Sequence, residues 1–219
     1  MEPVCDLILP CRDEAPALAA LLALVPSAFA VIVVDNGSRD GTGATAVRLG
    51  ATVVEESVPG YGAAVHTGLE SATHDFVAFM DGDGSFDPRE LLPLLDDVQS
   101  GRARMAVGRR RPVHAGVWPW HARAGNRVIV EWLRWRINMP VHDIAPMRVS
   151  RRDDLLDLGV ADRRFGYPVE LLQKVTNAGW TVTEHDVTYH PRATGTRSKV
   201  SGSVRGTVRT ARDFWRVLS

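Results

Sequence analysis

An α/β fold, with a Rossmann-like, mostly parallel sheet covered by helices on both faces, is predicted by three observations. Apolar runs of strand length alternate with helical patterns over the first half of the 219-residue chain. Each apolar run ends in a cluster of turn-forming residues. Those endings are chemically rich: they fall at 10–14, 35–40, 81–87 and 108–111. Ligands gather beyond the carboxyl ends of parallel strands. Acidic loops and one arginine loop are therefore expected to share an edge.

The elements follow in order. Residues 4–9 read as a buried strand interrupted by Asp6, and 15–25, rich in Ala and Leu, as a helix. The β-branched run 31–34 is a second strand. A short helix to Leu49, a strand at 51–54 and a helix at 63–72, opened by Pro59-Gly60-Tyr61-Gly62, come next. Residues 76–80 form a strand that stops at Asp81-Gly82-Asp83-Gly84-Ser85. Asp87 suits an N-cap and Pro88 a first helical position; Leu91, Leu92, Leu94, Leu95 and Val98 supply that helix's apolar face. A strand near 103–107 ends at an arginine loop, Gly108-Arg109-Arg110-Arg111.

The second half is less regular. It reads as a helix at 118–138, a loop or short strand at 141–147 and a short helix at 153–158. Phe165-Gly166-Tyr167-Pro168-Val169-Glu170 leads into a helix to Ala178, closed by Gly179, and 180–189 are strand-like. No repeat or low-complexity linker interrupts the chain. One domain over 1–219 is expected, with halves at 1–110 and 111–219.

The net charge of zero hides an asymmetry. Residues 1–100 hold 16 Asp/Glu against 4 Arg, and 101–219 hold 10 Asp/Glu against 22 Lys/Arg. Of the 26 basic residues 24 are Arg, which suits bidentate phosphate binding. An acidic half that holds a metal and a basic half that grips phosphates would give this pattern; so would charge complementarity between two halves of one domain. Cys5 and Cys11 lack CxxC spacing and form no disulfide framework. No apolar run approaches the roughly 20 residues of a spanning helix, and no secretory leader opens the chain. The expectation is a cytoplasmic protein with peripheral contact at the inner membrane face.

Asp81 and Asp83, spaced i, i+2 after a strand, can point at one Mg²⁺ or Mn²⁺ while the glycines admit a ligand's phosphates. Magnesium is commonly held by one or two carboxylates plus substrate phosphates. Asp and Gly also dominate plain turns, so this composition alone admits both readings. At the other end Val204, Val208, Ala211, Trp215 and Leu218 recur at helical spacing beside a stripe of Arg205, Arg209, Arg212 and Arg216. A basic amphipathic helix is a membrane-surface element or a terminal helix packed on the domain with a solvated arginine face.

Taken together, these motifs resemble a family. Val33-Val34-Asp35-Asn36-Gly37-Ser38-Arg39-Asp40-Gly41-Thr42 resembles the nucleotide-sugar loop of family 2 glycosyltransferases, which have the GT-A fold. Asp81-Gly82-Asp83 resembles their DxD metal motif. Asp143-Ile144-Ala145-Pro146-Met147-Arg148, Gly166-Tyr167-Pro168-Val169-Glu170 and Gly195-Thr196-Arg197-Ser198-Lys199-Val200-Ser201-Gly202 resemble the bacterial branch similar to dolichyl-phosphate and polyprenyl-phosphate mannose synthases. The resemblance implies that Pro10, Arg12, Glu14 and Asp35 hold the donor's base and ribose, and that Asp81 and Asp83 hold the metal on its diphosphate. It makes Arg110, Arg123, Arg192, Arg197 and Lys199 candidates for donor or acceptor phosphates. Members often carry Gln where this chain has Ser85. The long C-terminal membrane spans of some members are absent, so lipid contact is expected to be peripheral.

The implied reaction is inverting transfer of a hexose, mannose or glucose, from a nucleoside diphosphate sugar to a polyprenyl phosphate. An alcohol acceptor wants a carboxylate base, for which Asp143 and Glu170 are the candidates; a phosphate acceptor needs only cations. Rival readings are a soluble acceptor (sugar, glycerate or natural product), nucleotidyl transfer and a non-catalytic nucleotide-binding module. Nucleotidyl transfer would call for a Gly-rich, Lys-containing opening loop, which Leu9-Pro10-Cys11-Arg12-Asp13-Glu14 replaces. No interleaved aromatic and basic platform supports nucleic-acid binding.

Overall fold

The computed structural model describes residues 2–196. Arg197, Lys199 and the basic amphipathic segment 204–218 lie outside the described residues. A seven-stranded sheet runs in the order β3-β2-β1-β4-β6-β5-β7. Its strands are β1 (Cys5–Cys11), β2 (Phe29–Asp35), β3 (Thr52–Glu55), β4 (Phe76–Phe79), β5 (Met105–Pro112), β6 (Met147–Arg151) and β7 (Val182–Tyr189). All are parallel except β6, which runs antiparallel to both β4 and β5. Helices α1 (Ala15–Leu22), α2 (Thr42–Arg48), α3 (Tyr61–Ser71), α4 (Leu91–Gln99), α5 (Trp120–Ile137), α6 (Arg152–Asp157) and α7 (Tyr167–Asn177) complete it.

Strand alternation sorts β1 between two cores. Ile8 joins Val65, Leu69, Val130, Leu133 and Leu172 on the face covered by α3, α5 and α7. Leu7 and Leu9 join Leu18, Leu91, Leu94 and Leu95 on the face covered by α1 and α4. Asp6, the residue that broke the apolar run, is buried and serves the connection before β4. Its carboxylate accepts from Thr73 N at 2.7 Å and His74 N at 2.8 Å, and meets His74 Nδ1 at 2.9 Å.

The sequence expectation differs from the structure at two places. Met147–Arg151 is a strand, inserted between β4 and β5. Its register sets Arg148 beside Phe79 on one side and Val107 on the other. The arginines at 109–111 are not a loop but the continuation of β5, paired with Asp186–Thr188 of β7. Partners explain the extension: Arg109 Nε and Arg111 Nε donate to the two oxygens of Asp186 at 2.7 and 2.8 Å, while Arg110 projects to the opposite face. Beyond Gly108, β5 and β7 form a two-stranded ribbon that outruns β4 by about 15 Å. It walls one side of the sheet's ligand edge.

Asp87 caps as expected, its carboxylate accepting Arg89 N at 2.9 Å. The first turn it caps, Pro88–Glu90, is a 3₁₀ turn that passes into α4. Asp97, at the other end of α4, ties that helix to β7 through His185 Nε2 at 2.7 Å and to Arg102 Nε at 2.7 Å. Its hydrogen bond to His185, more than any other contact, holds its carboxyl down to about 2. A depressed carboxyl stabilises the fold above its unfolded value and loses that contribution as pH falls through the folded one. Acid titration of wild type should therefore shed roughly 2 kcal/mol between about pH 4 and pH 2 that the Asp97→Asn variant lacks throughout. Parallel denaturation curves for the two proteins across that range would refute it.

Candidate active site

The site forms where β1 and β4 end side by side. Met80 N donates to Ile8 O at 3.3 Å, and the chain then turns through Asp81-Gly82-Asp83. Gly82 lies so close to β1 that a Cβ added there would stand 2.3 Å from Cys11 Sγ. Asp83 is buried. Its Oδ1 accepts Ser85 N at 3.0 Å and the Ser85 hydroxyl at 2.5 Å, and its Oδ2 accepts Arg192 Nε at 2.8 Å. Arg192 is brought there by the segment after β7, which pairs with the acidic turn through His190 N to Ser85 O and Ala193 N to Asp83 O.

A pocket of about 150 Å³ opens above this turn. Of the residues nominated from sequence, Pro10, Arg12, Glu14, Asp81, Asp83 and Arg192 line it. Asp81 faces it with a carboxyl pushed up to about 6, by desolvation first and by the charge of Asp83 second, against the pull of Arg192, Arg110 and Arg148. Asp35 stands behind the lining: its two oxygens accept Ser38 N at 2.8 Å and Gly43 N at 3.1 Å and so shape the loop after β2. Cys11 hydrogen-bonds Glu14, and burial together with that carboxylate pushes its thiol up, out of the thiolate range.

Asp143 is 1 % exposed and pairs with Arg110. Arg110 donates to it through its backbone N at 2.9 Å, Nε at 2.8 Å and Nη2 at 2.5 Å. Burial alone would raise the Asp143 carboxyl; Arg110 and the backbone amides of Arg110 and Ala145 outweigh it, so the carboxyl sits below the ordinary carboxylate range. The Arg110 guanidinium also lies 4.1 Å over the Trp118 ring and reaches Asn126 Oδ1 at 3.2 Å. Glu170 accepts Ala161 N at 2.9 Å and Asp162 N at 2.6 Å, with Lys174 Nζ at 3.7 Å. It staples the loop before α7 and does not line the pocket. Arg123 is exposed in the first turn of α5, also outside the lining.

Three residues not singled out from sequence belong to this site. Asn36 bridges two loops: Nδ2 donates to Glu56 O at 2.9 Å and Val58 O at 2.8 Å, and Oδ1 accepts Gly60 N at 2.9 Å. Tyr61, at the start of α3, lines the same wall. Arg148 is 1 % exposed; its Nη2 donates to Ile144 O at 2.6 Å, while Nε and Nη1 have no partner among the described residues. The visible signals were the place of Asn36 beside Asp35 in one motif, and an arginine flanked by Met147 and Val149.

Asp81 and Asp83 are the carboxylates that could hold a divalent cation. The raised Asp81 carboxyl records two like charges in a desolvated turn, a strain that a cation would relieve. No group of three or more His, Cys, Asp and Glu stands ready as a cage among the described residues. Water and substrate phosphates would have to complete the shell, as is usual for magnesium.

The family model for glycosyl transferase family 2 matches residues 6–156. An uncharacterised glycosyltransferase of Mycobacterium tuberculosis is 53 % identical over 97 % of this chain and 96 % of its own length. The polyprenol monophosphomannose synthase of Mycolicibacterium smegmatis is 33 % identical over 90 % of this chain and 80 % of its own. Among solved structures, the glucosyl-3-phosphoglycerate synthase of M. tuberculosis, crystallised with Mn²⁺ and UDP-glucose, superposes with a TM-score of 0.77 at 18 % identity, covering 99 % of this chain and 78 % of that one. The mannosyl-3-phosphoglycerate synthase of Rubrobacter xylanophilus gives 0.79 at 16 % identity, over 99 % and 72 %. These two share the GT-A architecture with the present sheet. Motifs, family match and sequence identity agree, and the chain belongs to family 2 of the glycosyltransferases.

Proposed function

We propose that this enzyme moves a hexose from a nucleoside diphosphate sugar to a polyprenyl phosphate, with Mg²⁺ or Mn²⁺ held by Asp81 and Asp83. The observation that carries the acceptor is the state of Asp143. An alcohol acceptor needs a base to take its proton, yet both Asp143 oxygens accept hydrogen bonds from Arg110 and the carboxyl is held below its ordinary range. Glu170 is equally engaged by two backbone amides. A phosphate monoester is already anionic and asks only for cations, which Arg110 and Arg192 supply. The 33 % identity to a polyprenol monophosphomannose synthase supports the same acceptor.

Each group then has a physical task. Pro10, Arg12, Glu14 and Asn36 form the wall against which the base and ribose rest, and Asp35 keeps that wall's loop in shape. A bound divalent cation would neutralise charge on the leaving diphosphate. Arg192, held at 2.8 Å from Asp83 and lining the pocket, would stand beside the diphosphate as its cationic partner. Arg110, fixed by Asp143 and stacked on Trp118, presents its remaining guanidinium edge to the acceptor phosphate. Preorganised cations of this kind cost no reorganisation as charge develops.

The test is a transfer screen with GDP-mannose, UDP-glucose and related donors, Mn²⁺ or Mg²⁺, and a short-chain polyprenyl phosphate in detergent. Nucleoside diphosphate release that depends on the lipid phosphate is expected. Release that instead depends on 3-phosphoglycerate or another soluble alcohol would overturn the acceptor and restore the need for a base.

A further inference from the structure

Helix α5 has two unlike sides. Val130 and Leu133 are buried on the inner one, while Trp120 and Trp135 are each 80 % exposed and Val128 is 69 % exposed. At 3.6 residues per turn these three outward residues fall within about 80° of one another. Arg127 and Arg134 run along one flank of the stripe, and His121 and Arg136 along the other. The helix carries four Arg against one Glu131. Large aromatics beside arginines on an exposed helix face are the composition of an interfacial element, whose rings sit at headgroup depth while the cations meet anionic lipid.

We propose that the outward face of α5 docks this protein on an anionic lipid bilayer. Charge selects the occupant. A second copy of this face would set one surplus of positive charge against another. The chain's own segment 197–219, with six Lys/Arg against Asp213, is also a like-charged cover. An anionic surface attracts both elements at once. Position gives docking a purpose, which rests on the lipid-phosphate reading above. On the inner side of α5, Asn126 Oδ1 accepts Arg110 Nη2 and Ile144 N, each at 3.2 Å. The bilayer would then lie about one helix diameter, ~10 Å, from the arginine proposed to take the acceptor phosphate. A lipid-borne phosphate could meet it without leaving the interface far behind.

The experiment uses the full chain and phosphatidylcholine vesicles with or without phosphatidylglycerol. Sedimentation should show binding to the anionic vesicles only, weakening as salt rises. Trp120→Ala with Trp135→Ala should reduce the bound fraction about tenfold, and Arg127→Glu with Arg134→Glu at least as much. Both double variants should leave transfer to a short-chain phosphate in detergent unchanged. A probe at Val128→Cys reports the face directly, because Cys5 and Cys11 are 0 % and 1 % exposed and stay unlabelled; its emission should shift to the blue on anionic vesicles. Vesicle binding that persists in both double variants with an unshifted probe would assign attachment to another element and overturn the proposal. So would a dimer in solution that the tryptophan variant converts to monomer. Vesicle binding through α5 by a protein that transfers nothing to lipid phosphate would uphold the docking and overturn only the acceptor.

Discussion

Replacing Asp81 by Asn is expected to abolish cation-dependent donor binding while raising the melting temperature of the metal-free protein. The two effects have one cause. Asp81 is the half-open carboxylate of the acidic turn, and its ionised form is disfavoured by desolvation and by Asp83. With a folded value near 6 above an ordinary value of 3.8, the native state binds the extra proton. Stability from this group is therefore intact at low pH and declines as pH rises through about 4 to 6. Above that window the ionised group opposes folding, by about 1–2 kcal/mol once the partly open pocket is allowed for. The Asn variant should recover that amount at pH 7.5 and almost none at pH 4. Transfer should fall about 10³-fold, the loss of roughly 4 kcal/mol of charge stabilisation on the diphosphate. Melting curves at the two pH values, with Mn²⁺ titrated against a fluorescent nucleoside diphosphate, read both sides. A variant with lower stability at pH 7.5 would refute the charge-strain argument, and one that keeps Mn²⁺-dependent binding would remove Asp81 from the proposed metal site.

The second large effect belongs to the Arg110–Asp143 pair. Asp143→Ala leaves a mostly buried guanidinium without its counterion, and removal of one partner of such a pair costs about 3–5 kcal/mol. Arg110→Met together with Asp143→Leu should regain most of that loss, because an apolar pair of similar volume removes the stranded charge. Activity should not return with stability, since the proposed acceptor cation is gone. Asp143→Asn separates positioning from proton transfer. The wild-type carboxyl is already held below its ordinary range, so the variant should lower kcat/KM without deleting any ionisation from the pH–rate profile. Disappearance of an acidic limb in Asp143→Asn would make this residue a base after all.

The first half of the fold was legible because its strands are short, apolar and punctuated. Strands at 31–34 and 76–80 and the Asp87 cap lie where periodicity and turn chemistry put them. Two features escaped for physical reasons. β6 contains Arg148 and Ser150, and its Met-Arg-Val-Ser-Arg sequence shows alternation over only five residues, too few to separate strand from loop. The extension of β5 through three arginines depends on Asp186 and Asp143, far away in sequence, and no local propensity reports a partner that distant. In the site, the acidic turn and the opening Pro10 to Glu14 were legible as strand endings, which topology gathers at one edge. Asn36 stood inside a legible motif, but its bridge to Glu56, Val58 and Gly60 is a loop-to-loop contact, and the place of Tyr61 in the pocket wall follows only from the folded chain. The carboxylates of Asp143 and Glu170 were visible as chemistry, but their engagement by an arginine and by backbone amides is a property of the folded chain alone.

The antiparallel insertion of β6 bears on the order in which the molecule is made. β4 bonds β1 on one side and β6 on the other, yet β6 follows it by about 70 residues. At a synthesis rate of ~5–20 residues per second, the β4 edge waits roughly 3–14 s for its neighbour. Through that interval Phe76, Val77, Ala78 and Phe79 present unpaired backbone on an apolar strand, the kind of edge that recruits foreign chains. β5 is already synthesised, but its place in the finished sheet is one strand further out, between β6 and β7. Slow elongation or a truncated message ending before Met147 should thus convert a soluble nascent chain into a client for chaperones, while the acidic half is complete and the basic half has yet to reach it.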